Sequence, residues 1–130
     1  MADKLALIVT SGSREQLQMA AMMASVGSVS GTEVTVFLSM NAMTYFVKGR
    51  EQEAAPNDGE MGRLMAEKNA PHFMDLFEQA ADLGGAKIYP CSMAVDILGA
   101  GEGDLNPMLE KPMGLTKFMS DFDESTVLTF

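Results

Sequence analysis

A chain of 130 residues is about one domain long, because domains commonly hold about 100–200 residues, so a single domain over residues 1–130 is expected. Its 47% hydrophobic and 21% charged content suits a globular core and excludes disorder. Nine Lys and Arg against eighteen Asp and Glu leave a net charge of −9. Such a field repels phosphate backbones and anionic lipid, so no nucleic acid and no membrane are expected as partners.

Leu5–Thr10 (LALIVT) is a nearly continuous apolar run closed by Ser11 and Gly12, the pattern of a strand covered on both faces. Ser13 then stands as N-cap before Arg14–Val26, where Leu17, Ala20, Ala21 and Ala24 recur at helical spacing. Among the thirteen methionines, Met19, Met22 and Met23 lie within this helix. They read as core packing rather than as a thioether copper site. Thr32–Ser39 (TEVTVFLS) is a second β-branched run, and strand, helix, strand with short joints predicts a right-handed βαβ unit.

Met40–Lys48 reads as a short helix closing at Gly49. Arg50–Gly62 (REQEAAPNDGEMG) is charged, contains Pro56 and carries an Asn-Asp-Gly turn signal, so it reads as an exposed, mobile excursion. Pro71–Leu83 places Phe73, Leu76, Phe77 and Ala80 on one helical face and stops at Gly84 and Gly85. Ala86–Pro90 predicts a short strand ending at Cys91, and Ser92–Leu98 resumes helical spacing before Gly99. A helix near Leu115–Asp121 and a last strand, Thr126–Phe130, complete the order. Alternating strands and helices imply α/β: a three-layer α/β/α sandwich with a mostly parallel sheet, flavodoxin/Rossmann-like, with ligands beyond the C-terminal edge of the strands. That edge gathers Ser11, Gly12 and Ser13, then Met40 and Asn41, then Cys91 and Ser92, and fold position nominates Cys91.

Cys91 is the single cysteine, which excludes an internal disulfide and a multi-thiolate zinc site and points to a reducing, cytoplasmic compartment. No run approaches the roughly 18–20 apolar residues of a spanning helix, and no export signal is visible. A thiol at the first turn of a helix meets unpaired backbone N–H groups and the positive end of the dipole, which favour a nucleophilic thiolate. The competing reading is a buried, inert cysteine acting as a small hydrophobe. Ser11-Gly12-Ser13 after a strand is a candidate anion-binding turn, but it lacks the further glycines of a dinucleotide fingerprint and the lysine of a P-loop, so no nucleotide cofactor is implied. His72, the only histidine, reads as an exposed helix terminus, and Asp96 as a solvated or capping partner of Ser92. One histidine and one cysteine supply no metal-ligand spacing.

Gly85–Gly99 (GAKIYPCSMAVDILG) resembles the cysteine segment of the DsrE/DsrF-like family, particularly its sulfur-carrier branch, where a strand leads into Cys-x-Met and then an Asp and a Gly. Phe37-Leu38-Ser39-Met40, followed by Met43–Gly49 (MTYFVKG), is similar to the second-strand block of the same branch, and the resemblance spans Lys4 to Phe130. Arg50–Gly62 and Pro90 depart from the family's pattern. The resemblance implies parallel strands, homotrimers or their multiples, and a cysteine, here Cys91, that accepts and passes on sulfane sulfur as a persulfide. It carries no cofactor.

The expected function is therefore an intracellular sulfur carrier or sulfurtransferase. The amides of Ser92 and Met93 would stabilise the anion, with Met40 and Met93 forming an apolar surround and Ser11, Gly12 and Asn41 lining the same edge. A thiosulfonate is an alternative cargo. Donor and acceptor would be proteins with a basic face or small sulfur compounds. Two other classes compete: a non-catalytic oligomeric binding module with a buried structural cysteine, and a thiol peroxidase-like protein needing an external resolving thiol.

Overall fold

In the computed structural model, residues 4–50 and 55–130 are described. Four strands, β1 (Lys4–Val9), β2 (Glu33–Leu38), β3 (Lys87–Pro90) and β4 (Ser125–Thr129), form one sheet in the order β3-β2-β1-β4, and every pairing is parallel. The strands fall where the branched apolar runs predict them. Among the described residues six α-helices join them: α1 (Arg14–Val29), α2 (Met40–Met43), α3 (Glu60–Glu67), α4 (Phe73–Asp82), α5 (Ser92–Leu98) and α6 (Leu115–Met119). Among the described residues no helix is long and apolar enough to cross a membrane.

From β1 through β2 to β3 the chain steps in one direction across the sheet, so right-handed crossovers place α1 and α4 on the same face. These two helices pack directly on each other. The alanines Ala20, Ala21 and Ala24 of α1 let the backbones approach, and Phe73, Phe77 and Ala80 of α4 fill the space toward the sheet, all of them buried. From β3 the chain returns across the sheet to β4, and α6 covers the other face. Its Phe118 ring lies 5.0 Å from Phe37 and 6.4 Å from Tyr89. Phe37 and Tyr89 alternate along their strands with the fully buried Val36, Leu38 and Ile88. The result is the expected three-layer α/β/α architecture.

Three expectations need correction. Met19 and Met22 are not core: they are 49% and 42% exposed, because the stripe of Leu17 and the alanines takes the buried face and turns them outward. Met40–Lys48 is not one helix, since α2 ends at Met43 and Thr44–Phe46 tightens into a 3-10 turn. Arg50–Gly62 is not simply an exposed excursion. Residues 51–54 lie outside the described residues, but Ala55 is buried, and Glu60 begins α3, an element the sequence does not announce.

Candidate functional site

Cys91 directly follows β3 and serves as N-cap residue of α5, with extended backbone at φ −67° and ψ 123°. Its backbone is pinned from both sides. The Cys91 amide donates to the Leu38 carbonyl at 2.8 Å, and on its other side Cys91 bridges in parallel to Met113. Met113 N–H donates to the Pro90 carbonyl at 2.9 Å, Ser92 N–H to the Met113 carbonyl at 3.0 Å, and Glu110 N–H to the Ile88 carbonyl at 2.8 Å. Residues 110–113 therefore run along the outer edge of β3 and close it, which is how this fold manages an otherwise open strand edge.

Cys91 is 6% exposed, and its side chain makes no capping hydrogen bond to α5. Ser92 was expected to present its amide to a sulfur-bound anion. That amide is instead taken by Met113, so the first-turn donors without an intrahelical acceptor are those of Met93 and Ala94. The Met93 side chain is 52% exposed, which fits a rim better than a shielding wall. Asp96 is exposed on α5, and its carbonyl accepts from the Gly99 amide at 3.0 Å in the helix-ending turn.

Ser11, Gly12, Met40 and Asn41 are brought together at a neighbouring position. A β-carbon on Gly12 would stand 2.9 Å from Cβ of Asn41, so the β1–α1 turn and α2 touch only because residue 12 has no side chain. Ala42 N–H donates to the Thr10 carbonyl at 3.2 Å, and the Tyr45 hydroxyl to the Gly12 carbonyl at 3.1 Å. Met40 is held at φ +51° and is 57% exposed, a left-handed backbone that costs roughly 1–2 kcal/mol for a residue with a β-carbon. Tyr45→Phe, which keeps the ring against Phe73 and removes the hydroxyl, is expected to lower stability by about 1 kcal/mol, read as a shifted urea midpoint with an unchanged slope.

These residues form two stations. α2, the helix that begins with Met40 and Asn41, contacts the cysteine's helix α5. Ser11 and Gly12 sit over β1, two strands from Cys91 over β3, a lateral separation of roughly 10 Å. The strand order reverses between β1 and β4, and the topological switch point lies there. Fold position therefore favours the Ser11–Ser13 turn, whereas Cys91 occupies the far edge strand. At the switch point Thr10 and Ser11 amides donate to the Phe130 carbonyl at 2.8 and 3.2 Å.

His72 is not an exposed terminus. It caps α4 by accepting the Met74 N–H at Nδ1, 3.1 Å away, and stacks 4.3 Å from the Phe73 ring. Burial holds its imidazole below the usual value, with Arg14 adding to the effect and Asp75 opposing it. A free Nδ1 lone pair requires the neutral ring, so the cap persists above the ordinary histidine range and weakens as pH falls below it.

The E. coli ychN protein superposes with a TM-score of 0.59 at 18% identity, covering 98% of this chain and 99% of that one. A protein of unknown function, MTH1491 from Methanobacterium thermoautotrophicum, superposes with a TM-score of 0.57 at 6% identity, covering 98% of each chain. At these identities the likeness is one of fold. No curated protein matches the sequence. A family model described as DsrE/DsrF/DrsH-like matches residues 39–130, a span that runs from the end of β2 through Cys91 to β4. With the cysteine at the strand-to-helix junction and the whole α/β/α frame superposing on solved structures, this chain belongs to the DsrE/DsrF/DrsH-like family.

Proposed function

We propose that this protein is a sulfur carrier that holds sulfane sulfur on Cys91 and passes it to an acceptor thiol. The observation that carries this reading is the position of Cys91, at the C-terminal end of a parallel strand and the N-terminus of α5, within a chain of this family. The Cys91 thiolate attacks the terminal sulfur of a donor persulfide. The donor's sulfur–sulfur bond breaks, its electron pair leaves with the donor thiolate, and Cys91 becomes a persulfide; the acceptor thiolate then repeats the exchange in reverse sense. Near-complete burial of the thiol protects such a persulfide from water and oxidants, and the first-turn amides of Met93 and Ala94 are the donors available to its negative charge.

Exposed apolar side chains ring this edge: Met40, Met93, Ile97 and Leu115. They suit docking of a donor or acceptor protein, with basic groups at its rim answering the net charge of −9. A separate apolar groove of about 480 Å³ lies between α1 and β4, lined by Leu5, Met19, Met22, Val26 and Leu128. It supports the further proposal that copies of the chain associate, as homotrimers or their multiples.

The test is intact-protein mass spectrometry after exposure to a polysulfide or to thiosulfate. The protein is expected to gain the mass of sulfur on the peptide containing Cys91, and Cys91→Ser to gain none. A gain matching a thiosulfonate would change the cargo but keep the carrier. Absence of any adduct on Cys91 would leave the second reading, a non-catalytic module with a structural cysteine, which the 6% exposure of Cys91 favours. Consumption of peroxide with added thiol would instead identify the peroxidase chemistry.

A further inference from the structure

α3 is attached to the molecule in an unusual way. Of its residues only Gly62 is buried, and Met61 is 64% exposed, so apolar burial contributes little to holding it in place. Its attachment is polar and runs to the first turn of α1. The Glu15 carboxylate accepts three backbone N–H bonds from the start of α3: from Asp58 at 2.7 Å, Gly59 at 2.7 Å and Gly62 at 3.0 Å. In return the Asp58 carboxylate accepts from the Ser13 hydroxyl at 2.7 Å, Asn57 Oδ1 accepts from Arg14 Nε at 2.9 Å, and the Pro56 carbonyl accepts from Arg14 N–H at 2.8 Å. Glu15 thus supplies a carboxylate to the N-terminus of α3, where donors without internal partners and the helix dipole both favour negative charge, while Asp58 answers by holding the hydroxyl of Ser13, the N-cap residue of α1.

We infer that residues 56–67 are a strap, held shut against the start of α1 by the Glu15 cap and the Ser13–Asp58 hydrogen bond, which opens as a unit while the sheet and the α1–α4 layer stay folded. A segment with few buried apolar contacts and exposed polar attachments belongs at the low-stability end of a fold. Opening withdraws Asp58 from the Ser13 hydroxyl, which itself accepts from the Ser11 hydroxyl at 3.1 Å, so the polar contacts of the β1–α1 turn rearrange with the strap. The strap is independent of sulfur chemistry at Cys91.

Two features make the closed state sensitive to the ionisation of Glu15. The three amide donors match a carboxylate and not a protonated acid, and they hold the Glu15 carboxyl below its ordinary range, the Asp58 amide contributing most. Its charged neighbours are Arg14, adjacent to it on α1, and Asp58, whose backbone amide it holds. Arg63 is paired with Glu60 at 3.3 Å and Glu67 at 2.7 Å. A depressed folded-state value means that the Glu15 cap holds fully above pH 4.5, the ordinary carboxyl value, and is lost as pH falls through the folded one.

Hydrogen exchange of the full chain, measured peptide by peptide, tests the strap. Glu15→Gln replaces an acceptor oxygen by an NH₂ group aimed at N–H donors, and α3 amides are expected to exchange about tenfold faster, with β1–β3 and α4 unchanged. Gly62→Ala is a second route to the same end, because its β-carbon would lie 2.6 Å from the Glu15 carboxyl carbon and push the carboxylate out. Acidification should reproduce the effect in the parent protein, after correction for intrinsic exchange, and be blunted in Glu15→Gln. Equal protection of α3 in parent and variants would overturn the proposal. So would faster exchange spread evenly over α3, α4 and the sheet, which would make the caps part of the global fold.

Discussion

Gly84→Ala is expected to lower unfolding free energy by about 3 kcal/mol, a large loss for adding one methyl group. The site is the end of α4 where it presses on the end of α1. A β-carbon there would meet Ser28 Oγ at 2.0 Å, Ser28 Cβ at 2.4 Å and the Ala80 carbonyl oxygen at 2.9 Å. Rotating the serine hydroxyl removes the first clash and neither of the others, so the two helices must separate. The Ala80 carbonyl already accepts from Gly84 N–H at 3.1 Å, Ala86 N–H at 3.0 Å and the Ser28 hydroxyl at 3.4 Å, and displacement strains all three bonds. The neighbouring Gly85 has a different duty: at φ +72° it supplies the left-handed turn that ends the helix. Ser28→Gly should restore part of the loss in the double variant, because it removes the atoms in the way. Equilibrium urea unfolding of the four proteins decides it. Additive losses would show that contact with Ser28 is not the cause.

How the sequence announces these elements depends on where their stabilising partners lie. The central strands β1 and β2 are legible because each is a run of branched apolar side chains whose burial the run itself predicts. α5 falls on Ser92–Leu98 as its spacing requires, and Gly99, at φ +68°, ends it in the left-handed conformation. The strand-to-helix junction at Cys91 is legible for the same reason. α3 is not, since its N-terminal cap is supplied by Glu15, 43 residues before Asp58 in the chain. Just before it stand Pro56, Asn57, Asp58 and Gly59, which read locally as a turn. Met19 and Met22 show a different failure. Composition favours methionine in cores, but α1 has one face to bury, and small alanines fit against α4 more closely than thioethers do. The cover over β3's outer edge was hidden for a third reason. Glu110 and Met113 attach through backbone groups, and backbone hydrogen bonding leaves no trace in side-chain periodicity.

That backbone cover makes the access of reagents to Cys91 depend on α6, and Phe118→Ala is expected to show it. Phe118 is 4% exposed and joins Phe37, Tyr89 and Phe122 in one aromatic cluster, with ring centroids 5.0, 6.4 and 5.6 Å away. Removing a buried phenyl ring costs about 3–5 kcal/mol, and the short α6 can settle partly into the gap, which places the expected loss near 3 kcal/mol. The loss falls unevenly. Met113 and Phe118 line one cleft with Tyr89, so loosening α6 loosens the segment whose amide and carbonyl hold Pro90 and Ser92. Labelling of Cys91 by a thiol reagent in the native protein should therefore be slow in the parent and much faster in Phe118→Ala. Gly84→Ala is the control, because it removes a similar amount of stability from the α1–α4 face. If the thiol is reached through local opening of residues 110–113, Phe118→Ala accelerates labelling well beyond Gly84→Ala at matched stability. If the two variants label at the same rate, the thiol is reached only by global unfolding, and a carrier role for Cys91 would need a donor that remodels this edge on docking.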